Sequence, residues 1–207
     1  MNTLYYWPGS CALGIHVLLE ESGEPYDLAK VDSAAGAQHQ AEYRAVNPKG
    51  KVPALRRSDG SVLTEFPAIA YWLAATNPDK KLFPANPEAQ ARVLEAMDYV
   101  VASLHMQGFT RIWRPANFVA NEAEHGAVKA RGREICETGL ALMDETLAGK
   151  DYLVGDFSIA DAALFYFEFW VATRLKLAMP ANCAAHYARV KARPSAQKAL
   201  EMEGLKG

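Results

Sequence analysis

The sequence contains few cysteines, with only three among its 207 residues: Cys11, Cys136 and Cys183. An odd number of widely separated cysteines does not build the disulfide framework of a small secreted domain. No CxxC pair is present, and neither the cysteines nor the five histidines cluster with the spacing of zinc ligands. A metal site is therefore not expected.

Long apolar runs and a surplus of one charge are also missing. The longest apolar run surrounds residues 159–164, where Asp161 interrupts it, and it falls short of the roughly 20 apolar residues of a membrane helix. The first residues lack both the basic and the apolar region of a signal peptide. With 22 basic and 24 acidic residues, the formal net charge is -2, which favours neither nucleic acid nor an anionic membrane as a partner. We expect a cytoplasmic protein.

The first 78 residues alternate between strand-like and helix-like patterns. Strands are predicted over residues 3–6, 26–31, 54–57 and 61–64. Helices are predicted from Cys11 to a stop at Gly23, within residues 33–46, and over residues 67–75. The order βαβαββα indicates an α/β domain over residues 1–78.

Residues 79–87 predict a linker, because Pro84 and Pro87 restrict both themselves and the residues before them. From Glu88 onward the apolar residues recur at helical spacing, which predicts an all-α domain over residues 88–207. Ser158 and Asp161 have the spacing of a capping box, in front of a helix that is apolar nearly all round. Such a helix is expected to be buried.

Cys11 is the first candidate for chemistry. It follows a strand and a Pro-Gly turn, and it opens a helix, where unpaired N–H groups and the helix dipole favour the reactive thiolate. The alternative is a small core residue, since free cysteine is often buried. No second cysteine stands three residues further on. This disfavours a dithiol oxidoreductase and leaves a monothiol that pairs with a small thiol.

Two further segments suit a peptide-like ligand. Pro53 stands just before a strand and is a candidate for a cis peptide, and Val52 would then offer its backbone N–H and C=O to an extended peptide. A trans proline at the start of a strand is the alternative. Glu65 precedes a helix, where its carboxylate would bind an ammonium group and the helix N–H groups would bind a carboxylate. Simple helix capping is the alternative for Glu65.

These segments belong to a pattern that resembles the bacterial beta-class glutathione transferases. The pattern comprises YYWPGSCALGIH (5–16), VNPKGKVPAL (46–55), LTEFPAI (63–69), LHMQGF (104–109), GDFSIADA (155–162) and EGLKG (203–207). The matches keep their order and spacing over nearly the whole chain. The resemblance implies a thioredoxin-like N-terminal domain that binds glutathione, an all-helical C-terminal domain, and a homodimer.

The resemblance also implies roles for individual residues. Cys11 and His105 would be catalytic, with Cys11 facing the glutathione sulfur or forming a mixed disulfide with it. Asp98 would reach the γ-glutamyl amine of glutathione bound to the neighbouring subunit. The implied glutathione-binding residues are Ser10, Cys11, Lys51, Val52, Pro53, Glu65, Phe66, Asp98, Ser103 and His105. Without the resemblance, His105 would be interpreted as a core or surface histidine and Asp98 as an acid on a solvated helix face.

The sequence departs from the family pattern at three places. Phe66 stands after Glu65, where these enzymes usually carry serine or glycine, so the backbone N–H remains but no hydroxyl does. No basic residue occurs near position 35 to meet the glycine carboxylate of glutathione, and His39 or Lys51 is the expected substitute. Ser103 occupies a position where an acid is expected. Each lost charged contact would weaken binding by about 1–3 kcal/mol.

Two functions follow as hypotheses. The first is an enzyme that conjugates glutathione to hydrophobic electrophiles, with thiol-transfer or reductive activity through Cys11 as a further expectation. Its apolar surface for the electrophile is expected at Trp7, Phe109, Trp113 and Phe118, although such aromatics also serve as ordinary core. The second is a ligand-binding or regulatory scaffold without catalysis, because a fold does not fix a function.

Overall fold

The computed structural model describes residues 1–205, which form two compact units. The first unit comprises Met1–Ala85 together with residues 190–205, and the second comprises Asn86–Arg189. The last two residues of the EGLKG segment lie outside the described residues. The strands and α-helices are β1 (Asn2–Tyr6), α1 (Ala12–Ser22), β2 (Tyr26–Lys30), α2 (Ala41–Val46), β3 (Ala54–Arg56), β4 (Val62–Thr64), α3 (Phe66–Thr76), α4 (Pro87–Asp98), α5 (Thr110–Trp113), α6 (His125–Leu147), α7 (Ile159–Trp170), α8 (Ala181–Lys191) and α9 (Pro194–Met202).

A four-stranded mixed sheet in the order β2-β1-β3-β4 forms the centre of the first unit. β1 and β2 pair in parallel, so α1 crosses over between them, whereas β3 and β4 form an antiparallel hairpin beside β1. Leu4 of β1 and Leu55 of β3 are paired across the sheet, and neither side chain is exposed. The predicted order βαβαββα is confirmed.

Helix α1 is buried along most of its length. Its apolar residues, from Leu13 to Leu19, have no exposed surface, and the helix contacts β1, α3 and α9. Gly23 ends the helix in the left-handed conformation with φ 73°, which glycine adopts without a steric penalty. The helix therefore starts and ends where the sequence predicts, and its start carries Cys11.

The end of the described chain belongs to the first unit, because α9 packs against α1. Arg193 binds Glu21 at 2.8 Å, and Lys198 binds Glu20 at 2.9 Å. The sequence division placed everything after residue 87 in a helical domain, and the contacts divide the chain differently at this point. Helical periodicity predicts that α9 exists, but it carries no information about which helix α9 contacts.

The second unit is helical, with no strand among residues 86–189. The sequence predicts one α-helix over residues 88–107, whereas the structure has α4 continued by a π-helical segment over Tyr99–Phe109. The spacing of apolar residues over so short a segment fits the α-helical and the wider π-helical turn equally well. Segments of π-helix are frequent at functional sites, and this one carries His105.

Helix α7 is buried on every side, as its apolar sequence predicts. The predicted capping box is present, with the Ser158 N–H donating to Asp161 Oδ2 at 2.8 Å. Asp161 does more than the sequence predicts, because its Oδ1 also accepts from the Leu153 N–H at 2.8 Å and from His186 Nε2 at 3.2 Å. Burial alone would lower the pKa of His186, but the adjacent Glu168 and Asp161 carboxylates raise it to about 9. The resulting imidazolium compensates two buried acids.

Three glycines allow the π-helical segment to approach α6 closely. A Cβ atom added to Gly139 would lie 1.9 Å from Leu104 Cδ2, and one added to Gly132 would lie 2.7 Å from the Gly108 carbonyl oxygen. A Cβ atom on Gly108 itself would lie 2.7 Å from Cys136 Sγ. The position of the segment that carries His105 therefore depends on the absence of side chains at these residues.

Removing the two members of the capping box is expected to have unequal effects. Ser158→Ala loses one helix cap and should lower the free energy of unfolding by about 1 kcal/mol. Asp161→Ala also strips His186 and two backbone N–H groups of a buried acceptor, so the loss should be about 3 kcal/mol or more. Urea denaturation of both variants measures the difference. Equal losses would show that the contacts to Leu153 and His186 add nothing.

Adding one methyl group between α6 and the π-helical segment is expected to destabilise the protein. Gly139→Ala would collide with Leu104 and should cost about 1–3 kcal/mol by overpacking. Gly126→Ala is the matched control in the same helix, because nothing lies within 4 Å of its added Cβ atom. The control should be neutral or stabilising by about 0.5–1 kcal/mol, since alanine favours helix. Thermal unfolding of the two variants tests the contrast.

Candidate functional site

Cys11 lies at the point where β1, a tight turn and the start of α1 meet. The Ser10 N–H donates to the Trp7 carbonyl at 2.9 Å, and Gly9 adopts a positive φ of 64° in this turn. The Leu13 N–H then donates to the Ser10 carbonyl at 3.0 Å, which begins the helical hydrogen bonding. This backbone places Cys11 as the residue before α1, as the sequence predicts, with 8% of its surface exposed.

The Cys11 thiol lies beside Val52, which is 41 residues away in the sequence. Its Sγ donates to the Val52 carbonyl oxygen at 3.6 Å. The Val52–Pro53 peptide bond is cis, so the expectation of a cis bond at this position is confirmed. The structure therefore brings together the first two segments that the sequence singled out.

The loop that carries Val52 is held by side chains from α2 and its end. Tyr43 Oη donates to the Lys51 carbonyl at 2.6 Å, and Asn47 Nδ2 donates to the same oxygen at 2.7 Å. Burial raises the pKa of Tyr43 to about 12, so its hydroxyl stays protonated and remains a donor. Gly50 has φ 62°, and an added Cβ atom would lie 2.8 Å from the Gln38 carbonyl oxygen. These contacts fix the backbone on which Val52 is presented.

Glu65 precedes α3, and its carboxylate binds an ammonium group of the chain itself. Lys49 Nζ lies 2.6 Å from Glu65 Oε1 and 2.9 Å from Thr64 Oγ1. Both members of this ion pair are more than half exposed. Lys51 of the same loop was the predicted residue rather than Lys49, because the direction of a side chain in a turn is not encoded in residue spacing.

Phe66 follows Glu65 and is buried, with 4% of its surface exposed. Its ring therefore does not lie in the open beside the Glu65 carboxylate. The backbone of Glu65 has φ 72°, an uncommon conformation for a residue other than glycine. Strained residues of this kind cluster at binding sites.

Glu203 is a second residue that the sequence analysis missed. It follows α9, yet its Oε2 accepts from the Gly9 N–H at 2.8 Å, beside Cys11. Its Oε1 lies 3.0 Å from His16 Nδ1. An acid 192 positions from Cys11 gives no signal in local patterns, and only its presence in the EGLKG segment connected it with the family pattern.

In the second unit, His105 lies within a cluster of aromatic rings. Its ring centroid is 4.7 Å from that of Trp170 and 5.8 Å from that of Tyr166, both in edge-on arrangements. The Tyr166 hydroxyl and His105 Nδ1 are 3.3 Å apart. Phe109 stacks on Trp170 with centroids 4.1 Å apart and on Trp113 at 5.7 Å. Two of the residues expected to contact the electrophile, Phe109 and Trp113, are thus brought together with His105.

The remaining predicted residues occupy separate positions. Phe118 is exposed, and its ring lies 4.2 Å from the Arg111 guanidinium. Trp7, in the first unit, has Lys30 Nζ 5.3 Å from its ring. Asp98 is exposed at the end of α4. The residues Ser103, Lys51 and His39 show partial or full exposure.

The other two thiols lie in the second unit and have no exposed surface. Burial raises the pKa of Cys136 to about 12, and burial together with nearby carboxylates raises that of Cys183 to about 12 as well. Neither forms thiolate near neutral pH, which is the reactive form of cysteine.

Within residues 1–205, no group of three metal-ligating side chains comes together. No helix in the same range is both long enough and apolar enough to cross a membrane.

Known proteins share both the sequence and the fold. Residues 9–76 match a family model described as the glutathione S-transferase N-terminal domain, and residues 126–189 match the glutathione S-transferase C-terminal domain. The chain is 38% identical to Glutathione S-transferase GstA of Escherichia coli O157:H7, over 98% of this chain and 99% of that protein.

Two solved structures extend the comparison. A glutathione transferase homolog from Sulfitobacter with bound glutathione is 28% identical, with a TM-score of 0.89 over 100% of this chain and 99% of the other. A beta-class glutathione S-transferase from Sphingomonas chungbukensis is 30% identical, with a TM-score of 0.83 over 99% of this chain and 100% of the other. The resemblance seen in the sequence motifs and the fold that it implied are confirmed.

The three thiols are expected to differ in their reaction with iodoacetamide. In the folded protein at mildly alkaline pH, Cys11 should be labelled while Cys136 and Cys183 stay unmodified, because buried thiols of raised pKa do not supply thiolate. In urea all three should react. Peptide mapping by mass spectrometry measures the label at each site. Labelling of Cys136 or Cys183 at the same rate as Cys11 would contradict this interpretation.

Proposed function

The chain belongs to the glutathione S-transferase family, and we propose that it binds glutathione in its first unit and conjugates it to hydrophobic electrophiles. The observation that carries this proposal is the approach of Cys11 Sγ to the Val52 carbonyl oxygen at 3.6 Å. A peptide that pairs with the Val52 backbone as an added strand brings its own side chain to the sulfur of Cys11. Glutathione is such a peptide, and its central side chain is a thiol.

The second support for glutathione comes from Glu65. The γ-glutamyl end carries an ammonium and a carboxylate, and the chain offers the Glu65 carboxylate for the first and the Phe66 N–H at the start of α3 for the second. Glu65 Oε1 already accepts from Lys49, and a carboxylate can accept further hydrogen bonds from the ammonium group of the ligand. Lys49 in turn offers a positive charge near the ligand carboxylates.

Conjugation requires a glutathione thiolate and an electrophilic carbon. The thiol proton passes to solvent, the sulfur forms a bond with the carbon, and the leaving group departs with the electron pair of the bond that breaks. The positive end of the α1 dipole favours negative charge at this position. Ser10, which precedes Cys11, supports the turn by accepting from the Ala12 N–H at 3.2 Å.

Cys11 adds a thiol-transfer reaction to this proposal. Its thiolate attacks the glutathione sulfur of a mixed disulfide, forms a disulfide with glutathione and releases the second thiol as thiolate. A further glutathione thiolate then attacks this disulfide, which regenerates Cys11 and forms glutathione disulfide. Both steps exchange one disulfide for another, so no external oxidant is needed.

The second unit supplies the surface for the electrophile. The stacked rings of Phe109 and Trp113, with His105 nearby, form an apolar and polarisable surface, and half of Trp113 is exposed. Flat aromatic electrophiles suit such rings, because offset stacking stabilises aromatic pairs. We assign Phe118 and Trp7 to the same role on the basis of the family resemblance.

The proposed protein is a cytoplasmic homodimer with glutathione as its co-substrate. A reducing compartment agrees with three cysteines in the thiol form. Asp98 is exposed at the end of α4, which leaves its carboxylate available to the γ-glutamyl amine bound by a second copy of the chain. The assignment of residues 1–78 to glutathione binding and of the helices after the linker to the electrophile is part of the same proposal.

A scaffold that binds ligands without catalysis is the second candidate. It is favoured by the stretch of residues 33–37, which contains no basic side chain to meet the glycine carboxylate of glutathione. The Asp32 carboxylate accepts from the N–H groups of Ala34 and Ala35. The charged side chain that contacts the backbone of this stretch is therefore acidic. Retention on immobilised glutathione without conjugating activity would identify this function.

Glutathione binding and conjugation are tested with 1-chloro-2,4-dinitrobenzene as the electrophile. Glu65→Gln should raise KM for glutathione about tenfold with little change in kcat, because it removes a charged contact made equally in the ground and transition states. Glu24→Gln is the matched control, since Glu24 is an exposed acid in the turn before β2. It should leave both constants unchanged. No retention of the unmodified protein on glutathione and no conjugation would refute the proposal.

Cys11→Ala separates the two reactions. Thiol transfer to a glutathione mixed disulfide should be lost entirely, because the attacking sulfur is absent, and the adduct of glutathione at Cys11 should disappear from the mass spectrum. Conjugation should persist in part, because the glutathione thiol itself is the nucleophile. Undiminished thiol transfer by Cys11→Ala would remove Cys11 from that reaction.

A further inference from the structure

A buried carboxylate contacts the backbone of the turn that carries Cys11. The side chain of Glu203 has no exposed surface, and its Oε2 accepts from the Gly9 N–H at 2.8 Å. Gly9 is two residues before Cys11 and has a positive φ of 64°. The same carboxylate therefore holds a backbone amide whose orientation determines the path of the chain into Cys11.

The second oxygen of Glu203 contacts α1, the helix that follows Cys11. Its Oε1 lies 3.0 Å from Nδ1 of His16, which is five residues after Cys11 and is fully buried in α1. A hydrogen bond at this distance needs one proton on either Nδ1 or Oε1. One side chain from beyond α9 thus bridges the turn before Cys11 and the helix after it.

From His16, hydrogen bonds continue away from Cys11 through Tyr26 to the carboxylate of Glu20. His16 Nε2 lies 2.8 Å from the Tyr26 hydroxyl, which in turn donates to Glu20. Burial raises the pKa of Tyr26, and Glu20 raises it further, so the hydroxyl stays protonated and its proton belongs to the bond with Glu20. Its oxygen then accepts from His16 Nε2, which fixes the orientation of the imidazole ring. His16 is therefore held at both nitrogens.

Burying a carboxylate is costly unless hydrogen bonds compensate for the lost water. A contact between α1 and α9 does not need such a group, since Arg193 and Glu21 already join these helices at a less buried place. What distinguishes Glu203 is that it contacts the backbone of the Cys11 turn. Its burial is accounted for by a positioning role.

From this geometry we infer that Glu203 is a positioning residue for Cys11, acting through the Gly9 N–H and His16 to hold the sulfur at the start of α1 and beside Val52. The inference deepens the proposed function and rests on it for the meaning of the Cys11 position. It extends the site of the first unit to residues that follow α9.

The test measures the rate at which iodoacetamide alkylates Cys11 in the folded protein over a range of pH. Glu203→Ala should slow alkylation about tenfold or more at neutral pH and move the rate-versus-pH profile to higher pH, because the thiol loses its fixed position at the positive end of the α1 dipole. Glu203→Gln should stay within about threefold of the unmodified protein, since an amide can accept from Gly9 through its oxygen and donate to Nδ1 of His16 through its nitrogen.

Glu21→Ala is the matched control. It removes the contacts of Glu21 with Arg193 and Ser195, so it loosens the same pair of helices without touching the turn. Its alkylation profile should stay within about twofold of the unmodified protein even where its melting temperature falls as far as that of Glu203→Ala. If both variants lose stability equally and both keep the unmodified alkylation profile, Glu203 is merely structural and the inference is overturned.

Two further results complete the test. If Glu203→Ala does not fold, Glu203→Asp replaces it, because the shorter side chain cannot reach Gly9 and His16 together; a profile identical to that of Glu21→Ala would overturn the inference. A loss in Glu203→Gln as large as in Glu203→Ala would also overturn the assignment to these hydrogen bonds. Iodoacetamide needs no glutathione, so failure of the unmodified protein to bind glutathione would refute the proposed function while leaving the positioning of Cys11 measurable.

Discussion

The burial of α1 is the constraint on which the first unit depends. Its apolar side chains have no exposed surface, and covering them takes β1, α3 and α9 together. Closely packed interiors leave a helix little freedom to shift, so the start of α1 has a fixed position, and Cys11 shares it. The same burial encloses a polar side chain, His16, which needs a partner in the interior. Glu203 provides that partner, and the turn before Cys11 is tied to the same carboxylate.

Both units use the same arrangement to fix the start of a helix. In the first, Glu203 accepts from a backbone N–H before α1 and binds His16. In the second, Asp161 accepts from backbone N–H groups before and at the start of α7 and binds His186, which comes from α8. A carboxylate can do this because it has two oxygens that each accept more than one hydrogen bond. In each unit one member of the pair lies in the helix and the other comes from a distant part of the chain: Glu203 in the first unit and His186 in the second.

The local parts of this molecule could be predicted from the sequence, and the distant contacts could not. Turn residues, helix stops and the capping box report on neighbours within a few positions, which is why Cys11 at a helix start and the Ser158 cap were found. The partners Lys49 and Glu203 act through side-chain direction and through contacts between distant segments, and neither leaves a mark on periodicity. The family resemblance predicted part of these distant contacts, because it assigned Val52 and Cys11 to one site.

The contact of α9 with α1 also determines when the first unit can be completed during protein synthesis. Domains emerging from the ribosome generally fold as units, the N-terminal one first. Here the residues that complete the first unit are synthesised after the whole of the second, because they begin at Val190. Until then α1 lacks part of its cover, and the Gly9 N–H lacks the Glu203 carboxylate. The thiol at Cys11 thus reaches its final setting only after the helical unit and the residues up to Glu203 have been synthesised.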